Sequence, residues 1–222
     1  MKNICIIPAR GGSKRIPKKN IKLFHGKPLI AYSIENAKKS KLFQKIVVST
    51  DDKEIAKIAK NFGAEVQIRP KKLSDDYTGS TEVFEYVISK NPGFEYACML
   101  YPTTPLLTPE FLKKGLEELK KSNSCFSFGA VEFESSIFRG FEIINKKAKM
   151  LFPEYENKRT QDLPKVYRDA GAFYWKKTTC KEKFTFNNNL PIILPRWMAI
   201  DIDTIEDFEM AEKLYKAIYD NN

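Results

Sequence analysis

The sequence predicts an α/β fold of three layers, with a mainly parallel β-sheet between helices. Three observations carry this. Short apolar runs alternate with helical patterns through the first half of the chain, which is the rhythm of strand–helix–strand crossovers. The first apolar run leads directly into a turn dense in glycine and cations, and α/β sheets bind ligands at the carboxyl ends of their strands. The length, 222 residues, suits a single domain over 1–222 and suffices for one sizeable core.

Ile4–Pro8 reads as the first strand, and a helix follows from about Pro28 to Ser40. Ile46–Ser49 is a second strand. Behind it, Ile55, Ile58, Ala59 and Phe62 recur at i, i+3, i+4 and i+7, the apolar face of a helix. Glu65–Ile68 is a third strand, and a helix from about Thr81 to Lys90 leads to the strand Tyr96–Leu100. Thr108 and Pro109 have the chemistry of an N-cap and first helical residue, ahead of a face bearing Leu112, Leu116 and Leu119. Ser124–Val131 is the next strand.

The rhythm breaks after Val131. Phe133–Leu151 reads as one or two strands with turns at Arg139-Gly140 and Asn145-Lys146, and Phe152–Val166 is polar and carries proline. Asp169–Trp175 returns as an apolar strand. Residues 132–168 are therefore expected to form an arm that leaves the sheet. The arm carries Phe133, Phe138, Phe141, Ile143, Ile144 and Phe152. A thin excursion cannot bury so many large apolar groups alone, so a second subunit in a C₂ homodimer is expected to cover them, the alternative being that the arm folds back on its own domain. The chain closes with strand Ile192–Leu194, the segment Ala199–Thr204, and a helix with Phe208, Ala211, Tyr215 and Ile218 in one stripe. Thr204 and Asp207 resemble a capping box at its start.

Composition narrows the function classes. No run approaches the roughly 18 apolar residues of a membrane span, and Ile4–Ile7 is too short for a signal core. A protein of the cytoplasm with no membrane role is expected. The net charge is +10, but the lysines are spread over every predicted helix and usually sit beside glutamate. They make no basic stripe with interleaved aromatics, so no nucleic-acid partner is expected. The four cysteines have no C-x-x-C spacing and are expected to be buried reduced thiols. With one histidine, His25, in a polar turn, no zinc site is expected.

Two segments carry chemistry. Strand one runs into Ala9-Arg10-Gly11-Gly12-Ser13-Lys14, with Lys19 and Asn20 close behind. Two glycines allow a tight turn that presents backbone N–H groups to an anion, and Arg10, Lys14 and Lys19 add fixed positive charge. The pattern is neither G-x-x-x-x-G-K-[ST] nor G-x-G-x-x-G, so neither a P-loop nor a dinucleotide fingerprint is present. The second segment is Asp201-Ile202-Asp203. In extended chain, residues i and i+2 share a face, so two carboxylates stand side by side. Such hard oxygen donors suit a Mg²⁺ that carries nucleotide phosphates. A structural reading stands beside it, in which Asp203 or Thr204 caps the last helix and Asp201 is a surface charge.

Taken together, the segments IPARGGSKRIPKKN, GKPLIAYSI, VSTDDKEIA, FGAEV with RPKKLSDD, YPTTPLL and IDIDTIEDFEMAE resemble the CMP-nonulosonate synthetase (acylneuraminate cytidylyltransferase) family, nearly end to end. Within it, Arg159-Thr160-Gln161-Asp162-Leu163-Pro164 and Asp169-Ala170-Gly171-Ala172-Phe173-Tyr174-Trp175 look like the signature of the pseudaminic acid cytidylyltransferases. The neuraminate enzymes usually carry Gln and Arg where this chain has Tyr101 and Leu107. The resemblance implies a Rossmann-like sheet of the nucleotide-diphospho-sugar transferase type with a dimerisation arm. It implies transfer of CMP from CTP to the anomeric hydroxyl of a nonulosonic acid, pseudaminic acid in first place, with release of pyrophosphate. It assigns Ala9, Arg10, Gly11, Gly12, Ser13, Lys14, Lys19, Asn20, Arg69 and Ser80 to the nucleotide. Arg10, Lys14, Asp201 and Asp203 would be catalytic, the two aspartates as Mg²⁺ ligands. Tyr101, Arg159, Gln161 and Tyr174 would meet the sugar.

Overall fold

The computed structural model describes residues 2–75 and 78–219; Asp76, the last residue of the RPKKLSDD segment, lies outside them. β1 (Asn3–Pro8) sits inside a seven-stranded sheet. Its side chains alternate between two apolar faces: Cys5 and Ile7 join one core cluster, Ile4 and Ile6 the other. A strand buried on both faces reads as an unbroken apolar run, which is what Ile4–Ile7 is.

A two-residue hairpin, β2 (Leu23–Phe24) and β3 (Lys27–Pro28), precedes α1 (Leu29–Ser40). Then come β4 (Lys45–Thr50), α2 (Lys53–Asn61), β5 (Glu65–Ile68), α3 (Ser80–Lys90), β6 (Tyr96–Leu100) and α4 (Pro109–Lys121). β7 (Phe126–Glu132) leads to the hairpin β8 (Phe141–Ile144) and β9 (Lys147–Met150). The chain returns through β10 (Tyr167–Lys177) and ends with β11 (Leu190–Ile193) and α5 (Ile205–Tyr219).

The strand order is β11-β7-β10-β6-β1-β4-β5. All pairings are parallel except those of β10, which runs antiparallel between β6 and β7. The expected mainly parallel sheet is therefore present. Helices α1, α2 and α4 pack Ile30, Ile34, Ile55, Leu112 and Leu116 on one face, and α3 packs Val83, Phe84 and Val87 on the other. These are the three layers. α5 lies apart, with Phe208 and Ala211 closing a smaller cluster around Phe24, Tyr32 and Ile202.

The excursion after β7 is a β-hairpin. Asn145 and Lys146 take φ 51° and 63° at its turn, the two left-handed residues that match the twist of paired strands. Phe138 packs on Phe152 and Tyr155, while Phe141, Ile143, Ile144 and Leu151 remain exposed within the single chain.

One expectation fails. Cys5 and Cys98 are buried free thiols, but Cys125 and Cys180 form a disulfide across 55 positions. Both lie outside the strands: Cys125 just ahead of β7, Cys180 beyond β10. The antiparallel pairing of β7 with β10 brings the two segments together, since Lys177 N–H donates to the Cys125 carbonyl at 3.0 Å.

Candidate active site

The loop after β1 is fixed from behind by the start of α2. Asp52 caps that helix, its Oδ1 accepting the N–H groups of Glu54 and Ile55 at 2.7 and 2.9 Å. Gly11 passes so close that a Cβ there would lie 2.9 Å from both Cβ and Oδ2 of Asp52. The Gly11 N–H donates to Asp51 Oδ1 at 3.0 Å. It is thus spent inside the protein, not presented to an anion as the sequence suggested. Asn20, buried, donates from Nδ2 to the Arg10 carbonyl at 2.9 Å. The residues that shape the loop are held in the fold, while Lys14 and Gly12 are exposed.

Beside this loop lies a cavity of about 380 Å³. Its wall includes Arg10, Ser13, Lys14, Lys19, Asn20, Arg69, Ser80, Tyr101 and Asp203. Nine expected site residues from four separate stretches of sequence therefore converge. Ala9, Gly11 and Gly12 support the loop but are not on the wall. Arg69 is buried, its Nη2 donating to the Ser49 carbonyl and its Nη1 to the Leu73 carbonyl at 3.4 Å. Burial holds its guanidinium below the usual range.

The aspartate segment behaves as its alternation predicts, without being a strand. Ile202 is fully buried, while Asp201 and Asp203 turn outward. Asp203 is on the cavity wall; Asp201 is not. Asp203 Oδ1 meets Arg15 Nη2 at 2.8 Å and Lys19 Nζ at 3.2 Å, and Lys19 also donates to the Ile202 carbonyl. Desolvation and then the Asp203 charge push the Asp201 carboxyl above the usual range, against Lys19, Arg168 and Arg15. Two carboxylates that repel each other, one of them on the wall of a cavity lined by Arg10, Lys14, Arg15 and Lys19, offer hard oxygen donors of the kind that fit Mg²⁺. The capping box is present: Thr204 and Asp207 exchange hydrogen bonds at the start of α5.

A second cavity of about 170 Å³ shares Ser80 and Tyr101 with the first, and adds Phe84, Phe126, Asp169, Tyr174 and Phe184. Ser80 Oγ and Tyr101 Oη are 2.8 Å apart. Tyr174 donates its hydroxyl to Asp169 Oδ2. A shift of register in β10 between Asp169 and Tyr174 brings the two together. Gly171 occupies that bulge at φ +59°, a conformation glycine adopts without strain. Burial raises both phenols, Tyr174 further through the nearby Tyr101 and Asp169. Both therefore remain hydrogen-bonding phenols, unsuited to act as bases near neutrality.

Two expected sugar contacts are not brought here. Arg159 is exposed and paired with Asp162 at 2.8 Å, and Gln161 lines a separate cavity at the base of the arm. Conversely, Arg15, Asp169 and Phe184 stand in the site without having been assigned. Arg15 lies inside IPARGGSKRIPKKN and Asp169 opens the segment Asp169–Trp175, so adjacency was their signal. Phe184 had none.

A cation-rich loop at the end of β1, facing an aspartate across a cavity, defines a nucleotide-handling α/β enzyme of the nucleotidyltransferase kind. The chain belongs to the cytidylyltransferase family, whose profile matches residues 4–221. It is 47% identical to the pseudaminic acid cytidylyltransferase of Campylobacter jejuni, over all of this chain and 99% of that one. It is 33% identical to the CMP-N,N'-diacetyllegionaminic acid synthase of Legionella pneumophila, covering 96% of each. Among solved structures, a CMP:2-keto-3-deoxy-manno-octonic acid synthetase complexed with CTP superposes with a TM-score of 0.74 at 16% identity, over 98% of this chain and all of that one. That likeness establishes the fold. No helix among the described residues is long and apolar enough to cross a membrane.

Proposed function

We propose that this enzyme transfers CMP from CTP to the anomeric hydroxyl of a nonulosonic acid, pseudaminic acid in first place, releasing pyrophosphate. The observation that carries the reading is the joined pair of cavities. One is cationic with an aspartate on its wall; the other is largely apolar with Tyr174 and Asp169. They meet at Ser80 and Tyr101. The full-length likeness to an enzyme named for pseudaminic acid supports the choice of sugar.

In this reading the triphosphate lies along Arg10, Ser13 and Lys14, and cytidine reaches Arg69 and Ser80. Lys19 and Asn20 hold the loop against it. The sugar occupies the Tyr101–Tyr174 side, so that its hydroxyl approaches the α-phosphorus opposite the leaving pyrophosphate. Little covalent chemistry falls to the protein; holding the reactants in line and countering charge on the phosphoryl oxygens supply the rate. Asp201 and Asp203 would hold a Mg²⁺, which when bound supplies Lewis-acid stabilisation of those oxygens. Arg159 and Gln161 would act from the arm of a second subunit, seated through the exposed apolar residues of β8 and β9.

Pyrophosphate release from CTP and Mg²⁺ with pseudaminic, N-acetylneuraminic and diacetyllegionaminic acids tests this. Turnover is expected to be fastest with pseudaminic acid. Preference for another sugar overturns the choice of acceptor, and no turnover with any nonulosonic acid overturns the reading.

A further inference from the structure

Cys125 and Cys180 play no part in the chemistry above, yet they brace one wall of the second cavity. The bond joins the residue before β7 to the start of the connection between β10 and β11. That connection, residues 181–189, is mostly exposed. At its far end Asn189 Oδ1 accepts the Phe126 N–H at 3.0 Å. Its other hydrogen bonds among the described residues are internal, from Asn189 Nδ2 to the Thr185 and Asn187 carbonyls and from Thr185 Oγ1 to the Asn187 carbonyl. In the middle, Phe184 packs edge-on against Phe126, Phe128 and Tyr174, with centroids 5.5, 5.4 and 5.3 Å away. At the near end the disulfide adds a covalent tie to the hydrogen bond that Lys177 N–H already makes to the Cys125 carbonyl.

We propose that Cys125 and Cys180 are a reversible thiol–disulfide site whose state sets the position of residues 181–189 and, through Phe184, the shape of the Tyr174 cavity. The effect on substrate rests on the reading of that cavity as the sugar side. Cys125 and Cys180 are half-buried residues, whereas Cys5 and Cys98 are fully buried. Glu182 brings a carboxylate oxygen within 4.8 Å of both sulfurs. A thiolate on either cysteine therefore faces a like charge that the disulfide avoids.

The exchange partner is a dithiol. Its thiolate attacks one sulfur, forming a mixed disulfide and expelling the other cysteine as thiolate. Its second thiolate then displaces the first cysteine. The dithiol is oxidised to a disulfide, and two protons pass to Cys125 and Cys180. Without the S–S bond the chain up to Cys180 stays anchored, through Thr178 on the Phe94 and Glu95 carbonyls and Lys177 on the Cys125 carbonyl. Residues 181–189 beyond it are then held by ring contacts, their internal bonds and the Asn189–Phe126 hydrogen bond, the kind of low-stability unit that opens locally.

The test compares the oxidised full-length enzyme with the same enzyme treated with dithiothreitol. Native thiol titration is expected to show two new thiols per chain, since Cys5 and Cys98 are shielded. Trypsin should cut after Lys181 and Lys183 about tenfold faster in the reduced form, as expected of a locally opened segment. The KM for the sugar should rise about fivefold, with that for CTP within about twofold. Cys125→Ser and Cys180→Ser should each behave as the reduced enzyme with or without reductant. No new thiols, equal cleavage rates, or a redox response that survives in Cys125→Ser overturns the site. Faster cleavage with an unchanged sugar KM overturns the coupling to the cavity. The cleavage readout needs no activity, so failure to turn over any nonulosonic acid counts against the proposed function and not against the redox site.

Discussion

Replacing Asp203 by Asn removes one negative charge from the cavity wall and keeps the side-chain shape. The cost to the fold is small. Asp203 Oδ1 meets Arg15 at 2.8 Å and Lys19 at 3.2 Å, but the Asp203 and Arg15 side chains are 32% and 66% exposed. The Arg15 pair, at this exposure, is worth about 0–1 kcal/mol, while the Lys19 side chain is more buried, at 19% exposed. Lys19 keeps its bond to the Ile202 carbonyl, and Asp207 binds the backbone N–H of residue 203, not its side chain. A loss of about 1 kcal/mol moves the melting point of a chain this long by about 2–4 °C. The cost to catalysis is larger. Opposite unit charges about 4 Å apart near a protein surface interact by about 4 kcal/mol, and each 1.36 kcal/mol of barrier is about tenfold in rate. With part of that interaction already present in the ground state, a loss of about 100-fold in kcat is expected. Pyrophosphate release at saturating CTP and Mg²⁺, with a thermal melt of the same preparation, measures both. Wild-type turnover in Asp203→Asn, or turnover that persists in excess EDTA, refutes the metal assignment. Inactivity with a collapsed melting point makes the residue structural instead.

Lys14→Ala is expected to lower kcat more than it raises the KM for CTP, because its ammonium meets charge that grows in the transition state; the reverse pattern in steady-state kinetics demotes it to a binding residue. The Thr204 hydroxyl holds the Asp207 carboxyl below its ordinary range, so at acid pH the unfolded chain binds more protons than the folded one and stability rises with pH. The melting point should fall as pH drops from about 5 to about 3, and this slope should be shallower in Asp207→Asn. Sedimentation equilibrium should give a dimer, and Ile143→Asp, at a residue 76% exposed in the single chain, should give a monomer near 25.6 kDa. Inactive Asp203→Asn and Arg159→Ala chains, mixed with subunit exchange, should regain partial activity; a dimer without rescue means that one chain builds each pocket.

What the sequence made legible was local. Glu65–Ile68 and Tyr96–Leu100 are strands over the same residues that the apolar runs mark, and Pro109 opens α4 after Thr108. In each, the signal is short range: alternation, proline at a first turn, and a face of leucines. The hairpin turn at Asn145-Lys146 was legible for the same reason. Contacts made by distant segments were hidden. Nothing near Cys125 announces Cys180, and nothing near Phe184 announces Tyr174. Both pairings depend on β10 entering antiparallel between β6 and β7. The same holds for Gly11, whose N–H goes to Asp51 forty positions away. The chemistry of the loop was readable from its residues, whereas the use of each backbone group was not.

The Gly11–Asp51 contact bears on how the site works. A flexible, cation-rich loop would close on a triphosphate only by losing conformational freedom and reorienting its charges as the ligand arrives. Here much of that ordering is present beforehand. Asp51 and Asp52 grip Gly11, Asn20 grips the Arg10 carbonyl, and Ile16 is buried in the α5 cluster at the loop's far end. Lys19 and Arg15 are already turned onto Asp203. The carboxylates that hold the loop are therefore of two kinds. Asp51 and Asp52 lie behind it and fix its shape, while Asp203 lies in front and balances its charge. Fixed dipoles and charges that need no reorganisation are the most effective way to stabilise charge that develops during reaction. A substitution behind the loop, such as Asp51→Ala, therefore acts on the rate through the position of Arg10 and Lys14, although it removes negative charge from an anion-binding site. On electrostatics alone that variant would bind CTP more tightly and turn over faster. By the geometry it slows, because the carboxylate it removes is the one that holds Gly11, the residue next to Arg10 in the loop.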